Sequence, residues 1–450
     1  MKNKIHIISL GCPKNLIDSE VMAAALIESG CEFVYLPEDA DTIIINTCAF
    51  ILPAKEESID EILRMAELKR TGLCRYLIVA GCLPQRYGDM LEKEIPEVDL
   101  FLGTGMIPRI VDLVASLQGG ELSKQRSFTG KPDFLMNSSH SRLLSTPPHT
   151  AYLKIAEGCS NHCSYCVIPA IRGKFRSRPV DDILRETETL AQGGVKEIIV
   201  TAQETTLYGK DLGYTSGLSS LLREIALIDG IRWIRLLYTY PANLDDELFR
   251  TIRDVEKICN YIDIPVQHID DSILSLMNRK GDCELIKNVI SSARRIIPGV
   301  ALRTSLIVGF PGETQERFER LLAFVRETRF DHVGVFEYSR EEGTGADALP
   351  GHIRESAKKL RRKIIMEEQT LISREINQAL IGSTMEIVIE DKSDLQEYDY
   401  IGRARRQAPD IDGITYVKAD EKATGDIVEC RIVSADDYDL FAEERVEKKA

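Results

Sequence analysis

Over the first hundred residues, short apolar runs alternate with amphipathic stretches. Ile5 to Leu10, Thr42 to Asn46, Tyr76 to Ala80 and Val98 to Gly103 are rich in Ile, Val and Leu, and between them Ser19 to Ser29 and Ala54 to Lys69 repeat apolar residues at helical spacing. Apolar strands joined by helices predict an open parallel α/β sheet. From Gln118 to Thr150 the periodicity is lost, Gly, Ser, Lys and Pro accumulate, and Pro147-Pro148 closes the stretch, so residues 118–148 are expected to be a linker.

The alternation then resumes. Candidate strands are Ala151 to Ala156, Glu197 to Ala202, Trp233 to Tyr238, Tyr261 to Val266, Ala301 to Val308 and His332 to Tyr338, with helical patterns between them. Six such units predict a partial (βα)6 barrel, since eight would not fit. Near the end the period changes to two, with strands expected at Met385 to Ile389, Ile414 to Val417 and Ile427 to Val433, as in a small all-β domain. The expected organisation is an α/β domain over 1–117, the linker, a barrel over 149–374 and a β domain over 375–450.

Composition narrows the function classes. No apolar stretch reaches the roughly 18 residues that span a bilayer. The net charge of −14 argues against general affinity for phosphate backbones or anionic membranes and suits a basic partner. Met1 to Cys12 resembles a short signal sequence, but its apolar run is brief and holds His6, so no cleaved signal is expected. Eleven cysteines in a cytoplasmic protein are expected to bind metal or stay free.

Two sets of cysteines carry the chemistry. Cys159, Cys163 and Cys166 are spaced C-x3-C-x2-C directly after a predicted strand, hence at the carboxyl end of the first barrel strand, where barrel enzymes place their active sites. Three thiolates hold three irons of a cubane cluster and leave one iron open. The alternative is a zinc site completed by His162, although structural zinc motifs usually pair C-x2-C knuckles. Cys12, Cys48 and Cys82 each follow an apolar run and lie 36 and 34 residues apart, the length of one βαβ repeat, so all three fall on one carboxyl edge of the sheet. They suit a second cluster; the alternative is three small buried residues ending strands. Cys31, Cys74, Cys259, Cys283 and Cys430 lack a pattern and read as structural. No general base stands out, so no catalytic residue is assigned beyond the cluster cysteines.

The spacing Cys159-x3-Cys163-x2-Cys166, with Tyr165 before the last cysteine, resembles the signature of the radical S-adenosylmethionine (SAM) superfamily. The resemblance implies that the open iron chelates SAM, which one electron cleaves to a 5′-deoxyadenosyl radical. It further suggests SAM contacts from Tyr165, Gly193-Gly194, Gln203, Gln267, Arg303, Ser305 and Gly309. Gly193-Gly194 also reads as an ordinary helix-terminating pair, and a lone polar residue at a strand end is often a cap.

With Gly11-Cys12-Pro13-Lys14-Asn15, Asn46-Thr47-Cys48-Ala49-Phe50 and Gly81-Cys82, nearly the whole chain resembles the methylthiotransferases, and the terminal β domain resembles their TRAM domain. The resemblance implies two [4Fe-4S] clusters, with SAM as both methyl donor and radical source. Of the two main branches, the tRNA-modifying one typically has Gln-Met-Asn after the first cysteine; this chain has Pro13-Lys14-Asn15. That motif, Ile171 to Arg178 and Ala408 to Gly413 resemble the branch that methylthiolates the β-carbon of an aspartate in small-subunit ribosomal protein twelve. The implied partners are that basic protein and an electron donor such as a flavodoxin-type protein, with nucleic acid not the primary target; tRNA adenosine is the alternative substrate. Residues 381–450 hold eighteen acidic and ten basic residues, a net charge of −8 that favours a basic protein over tRNA or serves solubility alone. Arg172, Lys174, Arg176 and Arg178 form a basic run that either meets the substrate carboxylate or lies in a solvated loop. Glu204 stands where the family commonly has Asp, and Ile269-Asp270-Asp271 replaces the usual small polar residues.

Overall fold

The computed structural model describes residues 3–72, 74–122 and 125–445. The first layer is a fully parallel six-stranded sheet in the order β2-β1-β3-β4-β5-β6. Its strands are β1 (Lys4–Ser9), β2 (Glu32–Phe33), β3 (Thr42–Thr47), β4 (Tyr76–Gly81), β5 (Leu100–Gly103) and β6 (Ser127–Phe128). Helices α1 (Pro13–Glu28), α2 (Leu52–Thr71), α3 (Cys82–Glu94) and α4 (Ile110–Gln118) connect and cover it. β3 is buried at every residue because helices cover both faces, hence its apolar sequence. Helix α1 begins six residues before the amphipathic pattern predicts, because Pro13 at its first turn costs no hydrogen bond.

The segment expected to be a linker does more than connect. Ser127 and Phe128 pair with β5, and the Arg142 guanidinium joins Glu20 of α1 to Glu186 of the next layer, each at 2.6 Å. Its polar composition hid these contacts because their partners are distant in sequence.

The second sheet is also parallel, in the order β14-β13-β12-β11-β10-β7. Its strands are β7 (Thr150–Lys154), β10 (Glu197–Thr201), β11 (Trp233–Leu236), β12 (Ile258–Asp263), β13 (Ala301–Val308) and β14 (His332–Glu337), with the short pair β8 (Ala156–Glu157) and β9 (Arg176–Ser177) beside it. It curves into a partial barrel, and the first layer spans its two free edges. α1 packs on β7, while Lys55 of α2 and Arg86 of α3 share Glu341, just beyond β14, at 2.7 and 2.6 Å. One apolar cluster runs from Ile5 and Ile17 through Tyr152, Trp233 and Tyr261 in the barrel to Ala408.

The helix Glu355–Ala379 runs through residue 375, the boundary expected from sequence, and packs on β14 as well as on the strand Ile427–Ala435 of the last domain. A closed five-stranded barrel follows, β15 (Thr384–Lys392), β16 (Tyr400–Ala404), β17 (Thr415–Lys418), β18 (Ile427–Ala435) and β19 (Leu440–Glu444). Its segment 403–412 inserts under the parallel strands. Glu197, the first residue of β10, accepts Arg235 Nε at 2.9 Å and Arg403 Nη2 at 2.6 Å, and Asp412 accepts Tyr261 Oη at 2.8 Å.

Burial alone would raise the Glu197 pKa, but the two arginines bring it from 4.5 to about 2. The stability this provides is fully present above pH 4.5 and is lost as pH falls toward 2, about 3 kcal/mol in all. Glu197→Gln, which leaves Arg403 and Arg235 short of a charge, is expected to lower unfolding free energy at neutral pH by about 3–5 kcal/mol in urea titrations. The gap to the wild type should narrow as pH falls below 4.5; a constant gap would contradict the ion pairing.

Candidate functional site

Three glycine–cysteine pairs build the site. Gly11, Gly81 and Gly158 hold φ of +89°, +95° and +80°, the left-handed region that favours glycine. A Cβ on Gly11 would lie 2.7 Å from Cys48 Cβ, and one on Gly81 would lie 2.2 Å from Asn46 Oδ1. A Cβ on Gly158 would lie 2.3 Å from the Lys174 carbonyl. Each glycine lets the chain turn sharply out of its strand and bring the following cysteine against a neighbour.

Cys12, Cys48 and Cys82 follow β1, β3 and β4 on one carboxyl edge. Cys12 caps α1 and Cys82 opens α3, so two thiols stand at helix N-termini, where the backbone favours negative charge. Burial raises the Cys48 thiol to about 12, helped by the nearby Cys82 and Cys12. Burial also raises Cys82, with Arg172 opposing it and Cys12 adding to it. At Cys12 burial acts the same way, but Lys14, Arg172 and the amides of Asn15 and Lys14 outweigh it and bring the thiol below its ordinary value.

Cys159, Cys163 and Cys166 lie in the loop beyond β7 and β8. The sulfurs of Cys159 and Cys166 each accept a backbone N–H, from Asn161 and Ile168, at 3.4 Å. Ser164 ties the loop to Met277 by a 2.9 Å backbone bond, and Asn278 Nδ2 donates to the His162 carbonyl at 2.7 Å. The His162 side chain is exposed, and among the described residues no three His, Cys, Asp or Glu side chains are placed to share one metal ion. A zinc site would need four side chains gathered within about 2.3 Å of one ion, whereas the cysteines of an iron–sulfur cluster each bind a separate iron around a larger core.

A buried charge network joins the two sets. Lys154 Nζ lies 2.6 Å from Asp18 and 2.9 Å from Glu157. Arg172 donates to Asp18, to Asn15 Oδ1 at 2.7 Å and to Cys82 Sγ at 3.5 Å. Burial works against the Glu157 carboxylate, but Lys154 and Arg172 hold it at about 2. Arg172 sits on α5 (Ile168–Arg172), which starts two residues after Cys166, so one short helix connects the sets. The arginine run is therefore no solvated loop: Arg172 and Arg178 are buried, the latter against Asp182 and Glu186, and only Lys174 is exposed.

The suggested SAM contacts divide. Gln203, beyond β10, donates to Glu157 and keeps a buried Oε1 with no partner. Gln267 has φ +70° and is locked by Ser305 and Ile307 backbone bonds. Arg303 lies between Asp263 at 3.1 Å and Asp412 at 3.6 Å, with Ser305 Oγ at 3.4 Å. Gly309 follows β13, and Tyr165 Oη accepts Arg279 Nη1 at 3.2 Å. Gly193 and Gly194 do not join them. They terminate the helix Val180–Gln192 and precede β10, whereas Cys159 follows the carboxyl ends of the parallel strands, so the five residues of β10 separate them by about 16 Å.

Sequence reasoning missed Lys154, although a lysine between Leu153 and Ile155 in an apolar strand signals a buried charge. It also missed that Glu204 reaches the triad. Glu204 accepts Asn161 and Asn243 Nδ2 at 3.3 Å, and burial raises its pKa.

Cysteines at the carboxyl mouth of a six-stranded parallel half-barrel place the protein in the radical SAM class, which uses a [4Fe-4S] cluster and SAM. The Radical SAM superfamily model matches residues 153–325, the model of uncharacterized protein family UPF0004 residues 4–103, and the TRAM domain model residues 381–444. The fold is similar to the radical SAM methyltransferase TsrM from Kitasatospora setae, with TM-score 0.55 at 15% identity over 74% of this chain and 73% of that one. Ribosomal protein uS12 methylthiotransferase RimO of Syntrophus aciditrophicus is 59% identical over 98% of both chains. The RimO proteins of Geobacter sulfurreducens and Clostridioides difficile are 50% and 47% identical, again over 98% of both chains. The chain belongs to the family of ribosomal protein uS12 methylthiotransferases.

Gly81→Ala is expected to destabilise the fold by about 1–3 kcal/mol through its φ and the collision with Asn46. Thermal unfolding checks this; an unchanged midpoint would contradict the close approach at Cys82.

Proposed function

We propose that this chain methylthiolates ribosomal protein uS12 at the β-carbon of an aspartate, using two [4Fe-4S] clusters. The observation that carries the reading is the buried link from the Cys166 loop through α5 and Arg172 to Cys82, which brings both cysteine sets to one mouth. Cys159, Cys163 and Cys166 would hold the cluster that binds SAM, and Cys12, Cys48 and Cys82 the second. When bound, these groups supply one-electron cleavage of SAM, a methyl group and the sulfur to be transferred.

The protein's own residues prepare that chemistry. N–H donors from Asn161 and Ile168 favour the thiolate form of Cys159 and Cys166, against a burial that still leaves the two thiols raised, at about 11 and about 12. Arg172 does the same for Cys82. The first layer, held to β7 by α1 and to Glu341 by Lys55 and Arg86, covers the open side of the barrel. Tyr165, Gln203, Gln267, Arg303, Ser305 and Gly309 remain the candidate SAM contacts. Residues 381–450, at −8, suit a basic ribosomal protein. A flavodoxin-type protein in the cytoplasm is the proposed electron donor. No described helix is long and apolar enough to cross a membrane.

Cys159→Ala and Cys82→Ala are each expected to stay folded, to lose about half the bound iron, and to abolish methylthiolation of uS12 in mass spectra. Full activity in either variant would contradict the two-cluster reading. In cells lacking the gene, loss of the methylthio group from tRNA adenosine alone would instead assign the tRNA-modifying activity.

A further inference from the structure

Lys14 is 7% exposed, and its Nζ stands 3.4 Å from the centroid of the Tyr238 ring. Every other buried lysine or arginine among the described residues is matched by a carboxylate. Asp18 serves Lys154 and Arg172, Asp182 and Glu186 serve Arg178, Glu197 serves Arg235 and Arg403, Glu313 serves Arg361, and Glu355 serves Lys358. Among the described residues, Lys14 has no carboxylate within ion-pair distance. Asp18, one turn along α1, is already shared by two cations, and Glu157 is taken by Lys154 and Gln203. Of the described residues, only the Tyr238 ring and the Cys12 thiol, two residues away, face the ammonium, and they offset only part of the cost of removing it from water, which leaves room for a carboxylate from outside the chain.

The location says which anion. Lys14 follows Cys12 by two residues in the first turn of α1, and Tyr238 lies just beyond the carboxyl end of β11. The ammonium therefore stands where the cysteine edge of the first sheet meets the barrel mouth. Tyr238 holds φ +59°, a conformation costly for a tyrosine, and its N–H donates to Asp263 at 3.0 Å, so its backbone is held where the ring meets Lys14. We propose that Lys14 binds the side-chain carboxylate of the substrate aspartate. This rests on the methylthiotransferase reading above. The reacting β-carbon is bonded directly to that carboxylate, so one ion pair both fixes the carbon and admits aspartate over asparagine. Arg172 and Arg178 cannot do this, because their charge is spent on internal carboxylates.

The test compares wild-type holoenzyme with Lys14→Met and Lys14→Arg, using uS12 and uS12 with its target Asp changed to Asn, and measures SAM binding by calorimetry. Because Lys14 also favours the Cys12 thiolate, binding and rates are expressed per cluster after iron analysis of each variant. Lys14→Met leaves no carboxylate unpaired, so it is expected to fold. Its dissociation constant and KM for uS12 should rise about tenfold or more, its preference for Asp over Asn should vanish, and SAM affinity should stay unchanged. Lys14→Arg should retain part of the preference. An intact Asp preference in Lys14→Met would overturn the proposal. So would a loss of SAM affinity in place of uS12 affinity, which would assign Lys14 to the carboxylate of SAM. Failure of the wild type to modify uS12 would instead overturn the functional reading, and the proposal with it.

Discussion

Lys154 and Arg172, set against Asp18 and Glu157, form a group of two cations and two anions withdrawn from water at the joint between the two α/β layers. Removing any one member leaves a buried charge uncompensated, at a cost of about 3–5 kcal/mol, so the joint tolerates only one relative placement of the layers. That placement decides the rest. Asp18 and Asn15 belong to the helix that starts at Cys12, Arg172 to the helix that starts after Cys166, and Lys154 and Glu157 to the strands leading into Cys159. The ion pairs that weld the layers are thus within a few residues of three of the six cysteines, and Arg172 touches a fourth, Cys82. Such a network contributes little net stability compared with apolar packing; what it supplies here is register.

The lower end of the barrel is closed by the same kind of contact. Glu197, Arg235 and Arg403, with Asp412 against Tyr261, seat the last β domain beneath the parallel strands. The acidic domain is therefore fixed to the catalytic barrel through its own loop.

Much of this was legible in the sequence, for particular reasons. The cysteines at 12, 48 and 82 stood out because one βαβ unit sets their spacing, and apolar runs located all six barrel strands because parallel strands covered on both faces are predominantly apolar. Pairings over long sequence separations were not legible. The partner of Arg172 lies 154 residues away at Asp18, and nothing local distinguishes that arginine from exposed Lys174. Gly193-Gly194 misled because a glycine pair before a strand marks a helix end, not the end of the barrel on which it lies. The insertion of 403–412 was invisible for the same reason as Arg172: the contacts that seat it, to Glu197, Arg235, Tyr261 and Asp331, are to distant residues.

The central claim is that the two cysteine sets face one mouth. Electron paramagnetic resonance of the fully reduced holoenzyme tests this most directly, because paramagnetic clusters at a shared mouth broaden and relax each other's signals. The expected spectrum differs from the sum of those of Cys82→Ala and Cys159→Ala, each of which retains one cluster. A wild-type spectrum equal to that sum would place the clusters apart and contradict the account.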